Sequence, residues 1–186
     1  MTGFPIHTPR LLIRSFTLDD AEAMFKVLGD PETMRFFSIW LAKLVENARG
    51  FIRWVTGMER EYGYSFWAVV EKESGEVIGD CGLAPLEGRG PQVELGCDLR
   101  RDKWNHGYAT EAGAASLEYG FNELKLDRII AVTHPDNVAA RRVVEKLGMV
   151  LEGKGRHYGG ESVIYAKRSP QHLPRDRLYM IFMENE

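Results

Sequence analysis

Glu94-Leu95-Gly96-Cys97-Asp98-Leu99 and, after a polar loop, Trp104-Asn105-His106-Gly107-Tyr108-Ala109-Thr110-Glu111-Ala112 hold most of what can be read from this chain. The first part reads as a strand, and a glycine inside a strand often marks a bulge or a close backbone approach. The second opens a helix expected from about Tyr108 to Lys125, with Ala114, Leu117, Phe121 and Leu124 as its buried stripe. Small residues at Gly107 and Ala109 let successive backbone N–H groups converge on an anion, and the helix N-terminus adds a favourable dipole. That is the physics of a pyrophosphate site, although many helices also begin with small residues. No Gly-Lys-Ser/Thr follows and Gly-x-Gly-x-x-Gly is absent, so this is neither a Walker A loop nor a dinucleotide fingerprint. Arg100, Arg101, Lys103 and His106 crowd the loop, either as a solvated basic turn or as neighbours of a diphosphate.

Working back from this stretch, Val77 to Leu86 and Ser65 to Glu71 read as an antiparallel hairpin around Glu73-Ser74-Gly75-Glu76. Arg10 to Arg14 is a first strand. Thr17 and Asp20 then cap a helix carrying Ala21, Met24, Phe25 and Leu28, which Gly29 stops. Pro31 to Tyr62 reads as two helices with a break near Asn47 to Gly50. Working forward, Arg128 to Thr133 is a strand and His134 to Asn137 a turn. Ala140, Val143, Val144 and Leu147 form the apolar face of a helix closed by Gly148. A strand starts at Met149, and Arg177 to Met183 reads as the last one. Tyr158 to Arg175 has no clear pattern beyond a possible strand at Val163 to Ala166. The class is α/β, with no internal repeat and no linker, so residues 1–186 read as a single domain.

The 186 residues suffice for one full core, and 44% hydrophobic with 27% charged residues excludes disorder. No apolar run reaches the ~18 residues of a membrane span, and Met1 to Arg14 lacks a signal pattern, so a cytoplasmic protein is expected. Cys81 and Cys97 lack CxxC spacing and read as reduced strand residues; no metal site is expected. Residues 1–98 carry a balance of −5 and residues 99–186 one of +2. Neither half is basic enough to make nucleic acid the main partner, while an anionic cofactor on the second half and a cationic substrate on the first would suit the signs.

The pattern Trp104-x-x-Gly107-x-Ala109 followed by Thr110-Glu111-Ala112 resembles the acetyl-CoA signature of the GNAT N-acetyltransferases. Its tryptophan and the run Gly-Tyr-Ala-Thr-Glu-Ala resemble the branch that acetylates ribosomal-protein N-termini (RimJ/RimL-like). Thr8 to Arg14 is similar to the family's first strand, and Val77 to Leu83 to its third. His134-Pro135-Asp136-Asn137 with Arg142 to Met149 is similar to its fifth strand and fourth helix, so the likeness spans about residues 8–152. It implies a mixed, mostly antiparallel sheet of six to seven strands with helices on both faces. The cofactor site would lie where the fourth and fifth strands splay, at a bulge around Gly96.

The same resemblance implies the roles. Backbone groups near Leu99 would pair with pantetheine. Amides of Trp104, Asn105, His106, Gly107, Tyr108, Ala109 and Thr110 would hold the pyrophosphate of acetyl-CoA. Asn137 would bond the pantetheine arm or simply cap a helix, and Arg142 would reach a phosphate or remain a surface residue. Asn105 and His106 depart from the branch's usual glycine and basic residue. Ala140 and Val144 replace the serine and tyrosine that would protonate the leaving thiolate, so the general acid stays unassigned. Glu94, on the pantetheine strand, and His134 are the candidate catalytic bases, against readings as an ion-paired carboxylate and a turn residue. The implied activity is acetyl transfer to a primary amine, foremost a protein N-terminal α-amine. A small-molecule amine such as a polyamine or aminoglycoside, or a catalytically weak CoA-binding sensor, are the alternatives. A homodimer is compatible with the sequence.

Overall fold

The computed structural model describes residues 4–37 and 42–170. Eight strands are present: β1 (Ile6–His7), β2 (Leu11–Arg14), β3 (Phe66–Glu71), β4 (Val77–Pro85), β5 (Val93–Leu99), β6 (Arg128–Thr133), β7 (Val150–His157) and β8 (Gly160–Arg168). Four α-helices accompany them: α1 (Ala21–Leu28), α2 (Val45–Tyr62), α3 (Tyr108–Asn122) and α4 (Val138–Lys146). The strands form one sheet in the order β1-β2-β3-β4-β5-β6-β8-β7, antiparallel everywhere except between β5 and β6. Ile6–His7 adds a strand beside β2, the strand expected from Met149 is β7, and the segment without clear pattern from Tyr158 holds β8, which contains the strand suggested at Val163 to Ala166. The fourth and fifth strands of the sequence reading are therefore β5 and β6. The strand expected at Arg177 to Met183 lies outside the described residues, as do Trp40 and Leu41.

Alternation along the strands divides the core in two. Val93, Leu95 and Leu99 of β5 pack with Tyr108, Ala112, Leu117 and Phe121 of α3 and Val144 of α4. On the other face Ala68, Val70, Val77 and Ala84 meet Met24 and Val27 of α1 and Phe51, Ile52 and Val55 of α2. Of the expected stripe of α3, Leu117 and Phe121 are buried and Leu124 partly so, but Ala114 is exposed, and Gly113, Ser116 and Gly120 are buried beside them. The reason is close approach: a Cβ at Gly113 would lie 2.8 Å from a Leu147 methyl, and one at Gly120 2.6 Å from a Leu83 methyl. Small residues, and not only large apolar ones, face the sheet.

Two other expectations need correction. The described residues of 31–62 hold one helix, not two. α2 runs unbroken through Gly50 and Gly57, where an added Cβ would meet nothing within 4 Å. Asn47 belongs to its start, with Oδ1 accepting the backbone N–H groups of Lys43 (3.1 Å) and Leu44 (3.0 Å). Nor is there a bulge at Gly96, because the β4–β5 register passes through Gly82 opposite Gly96 without a shift. Gly96 is required by packing: a Cβ there would lie 2.7 Å from Cε1 of Phe66. The irregularity sits one strand over, between Val69 and Val70 of β3, opposite Gly79 of β4, whose φ is 153°.

Candidate active site

β5 and β6 share a single register pair, Glu94 with Ile130, and part beyond it. Arg100 donates its N–H to Ile78 O on β4 (2.8 Å). By the alternation of a strand, the peptide groups of Leu99 and Cys97 then point away from β4, into the opening. The Leu99 carbonyl is already taken, accepting the Trp104 indole N–H at 2.7 Å. Pantetheine pairing expected near Leu99 is thus left to the Leu99 N–H and to Cys97. Cys81 and Cys97, opposite one another in the β4–β5 register, are free thiols.

The turn before α3 has the geometry its small residues suggested. Asn105 (φ 63°) and Gly107 (φ 81°) both adopt left-handed backbone, which Asn and Gly tolerate. Gly107 is the N-cap of α3 and has no side chain to satisfy the helix start. From Asn105 to Thr110 no backbone N–H donates to another described residue; the first to do so is Glu111, to Gly107 O at 3.0 Å. Unsatisfied amides at a helix N-terminus suit an anion such as the diphosphate of CoA expected there.

Side chains hold this turn from outside. The Tyr108 hydroxyl donates to Glu71 Oε1 (2.7 Å), and Lys103 Nζ (2.7 Å) and Ser74 Oγ (2.6 Å) donate to Glu71 Oε2. These three donors, Lys103 first, hold the Glu71 carboxyl down at about 2. Arg10 pairs with Glu111 (2.7 Å), bonds His106 O (2.9 Å) and lies 4.5 Å over the Tyr108 ring. His106 turns its Nδ1 to Trp104 O (2.7 Å) and stacks on Tyr108. The side chains of Trp104, His106 and Tyr108 are therefore engaged within the protein, which leaves their backbone for the expected anion site.

Acetyl-CoA at about 100 times its Kd is expected to stabilise the fold by roughly 2.7 kcal/mol, a rise in Tm of about 5–10 °C. Gly107→Val should remove that rise, because valine resists a φ of 81°. A Cβ at 107 would meet only Arg10 Nη2, at an ordinary 3.5 Å, so the variant should still fold. A folded variant with the full thermal shift would exclude Gly107 from the site.

At the other end of the opening, Asn137 caps α4, its Oδ1 accepting Ala140 N–H at 3.1 Å. Asn137→Ala should cost about 1 kcal/mol as a lost cap. Calorimetry then decides the second role, with weaker acetyl-CoA binding expected if the free amide also holds pantetheine and an unchanged Kd if it does not. Arg142 is exposed and its side chain bonds no other described residue, whereas its neighbour Arg141 is anchored to Tyr165 Oη (3.1 Å) and Pro135 O (3.1 Å).

Of the two candidate bases, Glu94 is 4% exposed, and burial pushes its carboxyl up to about 8. The Glu87 and Asp98 charges add to this rise, and a hydrogen bond from the Glu87 backbone opposes it. His134 is set apart. It stacks on Phe36 (5.1 Å between centroids), its Nδ1 accepts Asp136 N–H at 3.2 Å, and no hydrogen bond joins it to Glu94. The even residues of β5 share the α1/α2 face with Asp80, which is Asp98's partner in the β4–β5 register. Burial raises Asp98 to about 6 and, together with the Asp98 charge, lifts Asp80 well above the usual carboxylate range.

The residue missed in sequence is Tyr158. It donates its hydroxyl to Glu94 Oε1, while its Oη accepts Glu87 N–H (3.0 Å) and its own N–H reaches Glu87 Oε1 (2.9 Å). Tyr158 (φ 53°) and Gly159 (φ 79°) are the two central residues of the β7–β8 hairpin, whose last pair is His157 with Gly160. Two left-handed residues make a type I′ turn, where asparagine or glycine is usual. Tyrosine there costs roughly 1–2 kcal/mol. The Gly159-Gly160 pair signals the hairpin, but nothing local says what its tip touches. Among the described residues no cluster of His, Cys, Asp and Glu could hold a metal ion, and no helix is long and apolar enough to cross a membrane.

Comparison with known proteins agrees with this geometry. Residues 10–150 match the model of an acetyltransferase (GNAT) domain. An uncharacterized protein of Bacillus subtilis, YkkB, is 34% identical over 87% of this chain and 94% of its own length. An uncharacterized N-acetyltransferase of Bacillus licheniformis, p20, is 32% identical over 82% of this chain and 86% of its own. The crystal structure of a GNAT-family acetyltransferase from Bacillus anthracis superposes with a TM-score of 0.77 at 30% identity, covering 89% of this chain and 99% of that one. With the domain match spanning most of its length, this chain belongs to the GNAT family of acetyl-CoA-dependent acetyltransferases.

Proposed function

We propose that the acetyl acceptor is the α-amine of a protein N-terminus and that Glu94 takes its proton. The observation that carries this reading is the buried Glu94 on the strand bordering the β5–β6 opening, with its carboxyl near 8. An α-amine has a pKa of about 7.7–8.0, so proton transfer to Glu94 is close to balanced; from lysine, at about 10.4, it would be uphill by about 3 kcal/mol. Acetyl-CoA supplies the activated acetyl carbonyl. The protein orients it through the amides before α3 and the free edges of β5, and leaves the amine nitrogen neutral for attack. Fold-level likeness supports the reading in a weaker way: a ribosomal-protein-S5-alanine acetyltransferase from Vibrio fischeri superposes with a TM-score of 0.74 at 18% identity, covering 91% of this chain and 98% of that one. A small-molecule amine such as a polyamine or aminoglycoside is the second reading, favoured by the acidic Asp80–Asp98 pair on the Glu94 face.

Thiol release from acetyl-CoA tests both. The acceptors are alanine- and serine-initiated peptides, the same peptides blocked at the N-terminus with an internal lysine, spermidine and an aminoglycoside. Turnover confined to free N-termini is expected. Preference for spermidine or the aminoglycoside would transfer the assignment to the second reading, and turnover of the blocked peptides would refute the matched-pKa argument.

A further inference from the structure

We infer that Tyr158 is the proton relay between the acceptor amine and Glu94, an inference that rests on Glu94 being the base. Glu94 is enclosed, whereas Tyr158 is half-buried and stands at the tip of the β7–β8 hairpin with its hydroxyl on the Glu94 carboxylate. The phenolic oxygen spends its proton on Glu94 and one lone pair on Glu87 N–H, which leaves one lone pair for an incoming N–H. The hydroxyl is fixed by two bonds, and Glu87, itself left-handed at φ 53°, also holds the Tyr158 backbone. A bulky residue kept in a left-handed turn, with its one polar atom on a buried carboxylate, is the kind of strain that points to function.

The step balances without a co-reactant. The ammonium N–H bond breaks and its proton goes to Tyr158 Oη, while the phenolic proton passes to Glu94 Oε1. The amine and Glu94 end neutral, and tyrosine is neutral before and after. The ionisable groups around the pair are Glu87 and Asp98, with His157 Nδ1 buried, lacking a hydrogen bond and 3.7 Å from Glu87 Oε1, and Arg89 3.5 Å from Glu87 on its outer side.

The test is a double-mutant cycle of Tyr158→Phe and Glu94→Gln, using thiol release from acetyl-CoA with the best acceptor of the panel above. Tyr158→Phe should lower kcat by about tenfold or more, with the KM for acetyl-CoA and its thermal shift unchanged. It should also flatten the rise of kcat with pH, and the double variant should be no slower than the slower single one, because the two residues act as a unit. Multiplying losses would overturn the relay in favour of separate roles. A faster Tyr158→Phe enzyme would make Tyr158 a cover over Glu94. Full activity in Tyr158→Phe beside a crippled Glu94→Gln would sink the relay alone, whereas full activity in Glu94→Gln would sink the base itself. If neither Tyr158→Phe nor Tyr158→Ala folds, or no acceptor is turned over, the relay is likewise rejected.

Discussion

Glu94→Gln should cost activity and yield stability, and both effects should depend on pH. As the proposed base, Glu94 should account for about 10²–10⁴ in kcat near neutrality. Its carboxyl titrates at about 8, so wild-type activity should climb with pH up to that value, where the acceptor also loses its proton. The deficit of the variant should narrow above pH 8, when free amine no longer needs a base. A deficit equal at all pH values would assign Glu94 to positioning.

The stability arm follows from linkage. The folded pKa of about 8 lies above the ordinary 4.5, so the native state holds the proton more tightly than the unfolded chain. Stability from this group is complete below pH 4.5 and is lost as pH rises to 8. Glutamine keeps the shape, still accepts from Tyr158 and never ionises. Glu94→Gln should therefore gain on the wild type through that window, by a few kcal/mol and at most about 5 kcal/mol at pH 8. Urea unfolding at pH 5 and pH 8 measures it, and a difference that does not grow with pH would show Glu94 to be less perturbed than its burial implies.

Gly79→Ala should be among the most damaging single-carbon changes in the molecule. The new Cβ would lie 2.1 Å from Asp98 O and 2.8 Å from Leu99 Cα, both rigid backbone, at a φ of 153° that alanine rarely adopts. Backbone strain of about 1–3 kcal/mol and overpacking of similar size give a loss on the order of 2–5 kcal/mol. At about 2–4 °C per kcal/mol, Tm should fall by roughly 5–20 °C. Because the clash falls on the end of β5, acetyl-CoA should also bind the surviving folded fraction more weakly. A calorimetric Tm within a degree of wild type would show that the irregularity in the β3–β4 pairing absorbs the methyl group.

How much of this was legible in the sequence depended on how local the cause was. Helix α3, its turn and the β3–β4 hairpin follow from periodicity and glycine placement over a few residues, and Gly148 closes α4 with a φ of 74°. Asn137 was legible as a cap because capping is also local. Glycine misled where its reason was not conformational: Gly50 on an open helix surface was read as a break, and Gly96 beneath the Phe66 ring as a bulge. The Tyr158–Glu94 contact joins residues 64 apart through a hairpin tip, and no pattern within either segment encodes it. The Glu71 anchor of Tyr108, 37 residues away, was hidden for the same reason.

That anchor has a kinetic corollary for the turn before α3. Its shape is set by Glu71, Arg10 and Trp104 contacts already made on folding, so ligand binding has little ordering left to do there. The amides from Asn105 to Thr110 are thus held in place yet have no partner among the described residues, a combination that hydrogen exchange distinguishes from mobility. In the free protein they should exchange quickly without any opening of the surrounding sheet. Acetyl-CoA should slow them without slowing their already bonded neighbours, leaving a short protected footprint. Acid should erase it: the folded Glu71 carboxyl lies near 2, below its ordinary 4.5, so its grip is whole above pH 4.5 and fails as pH falls toward 2.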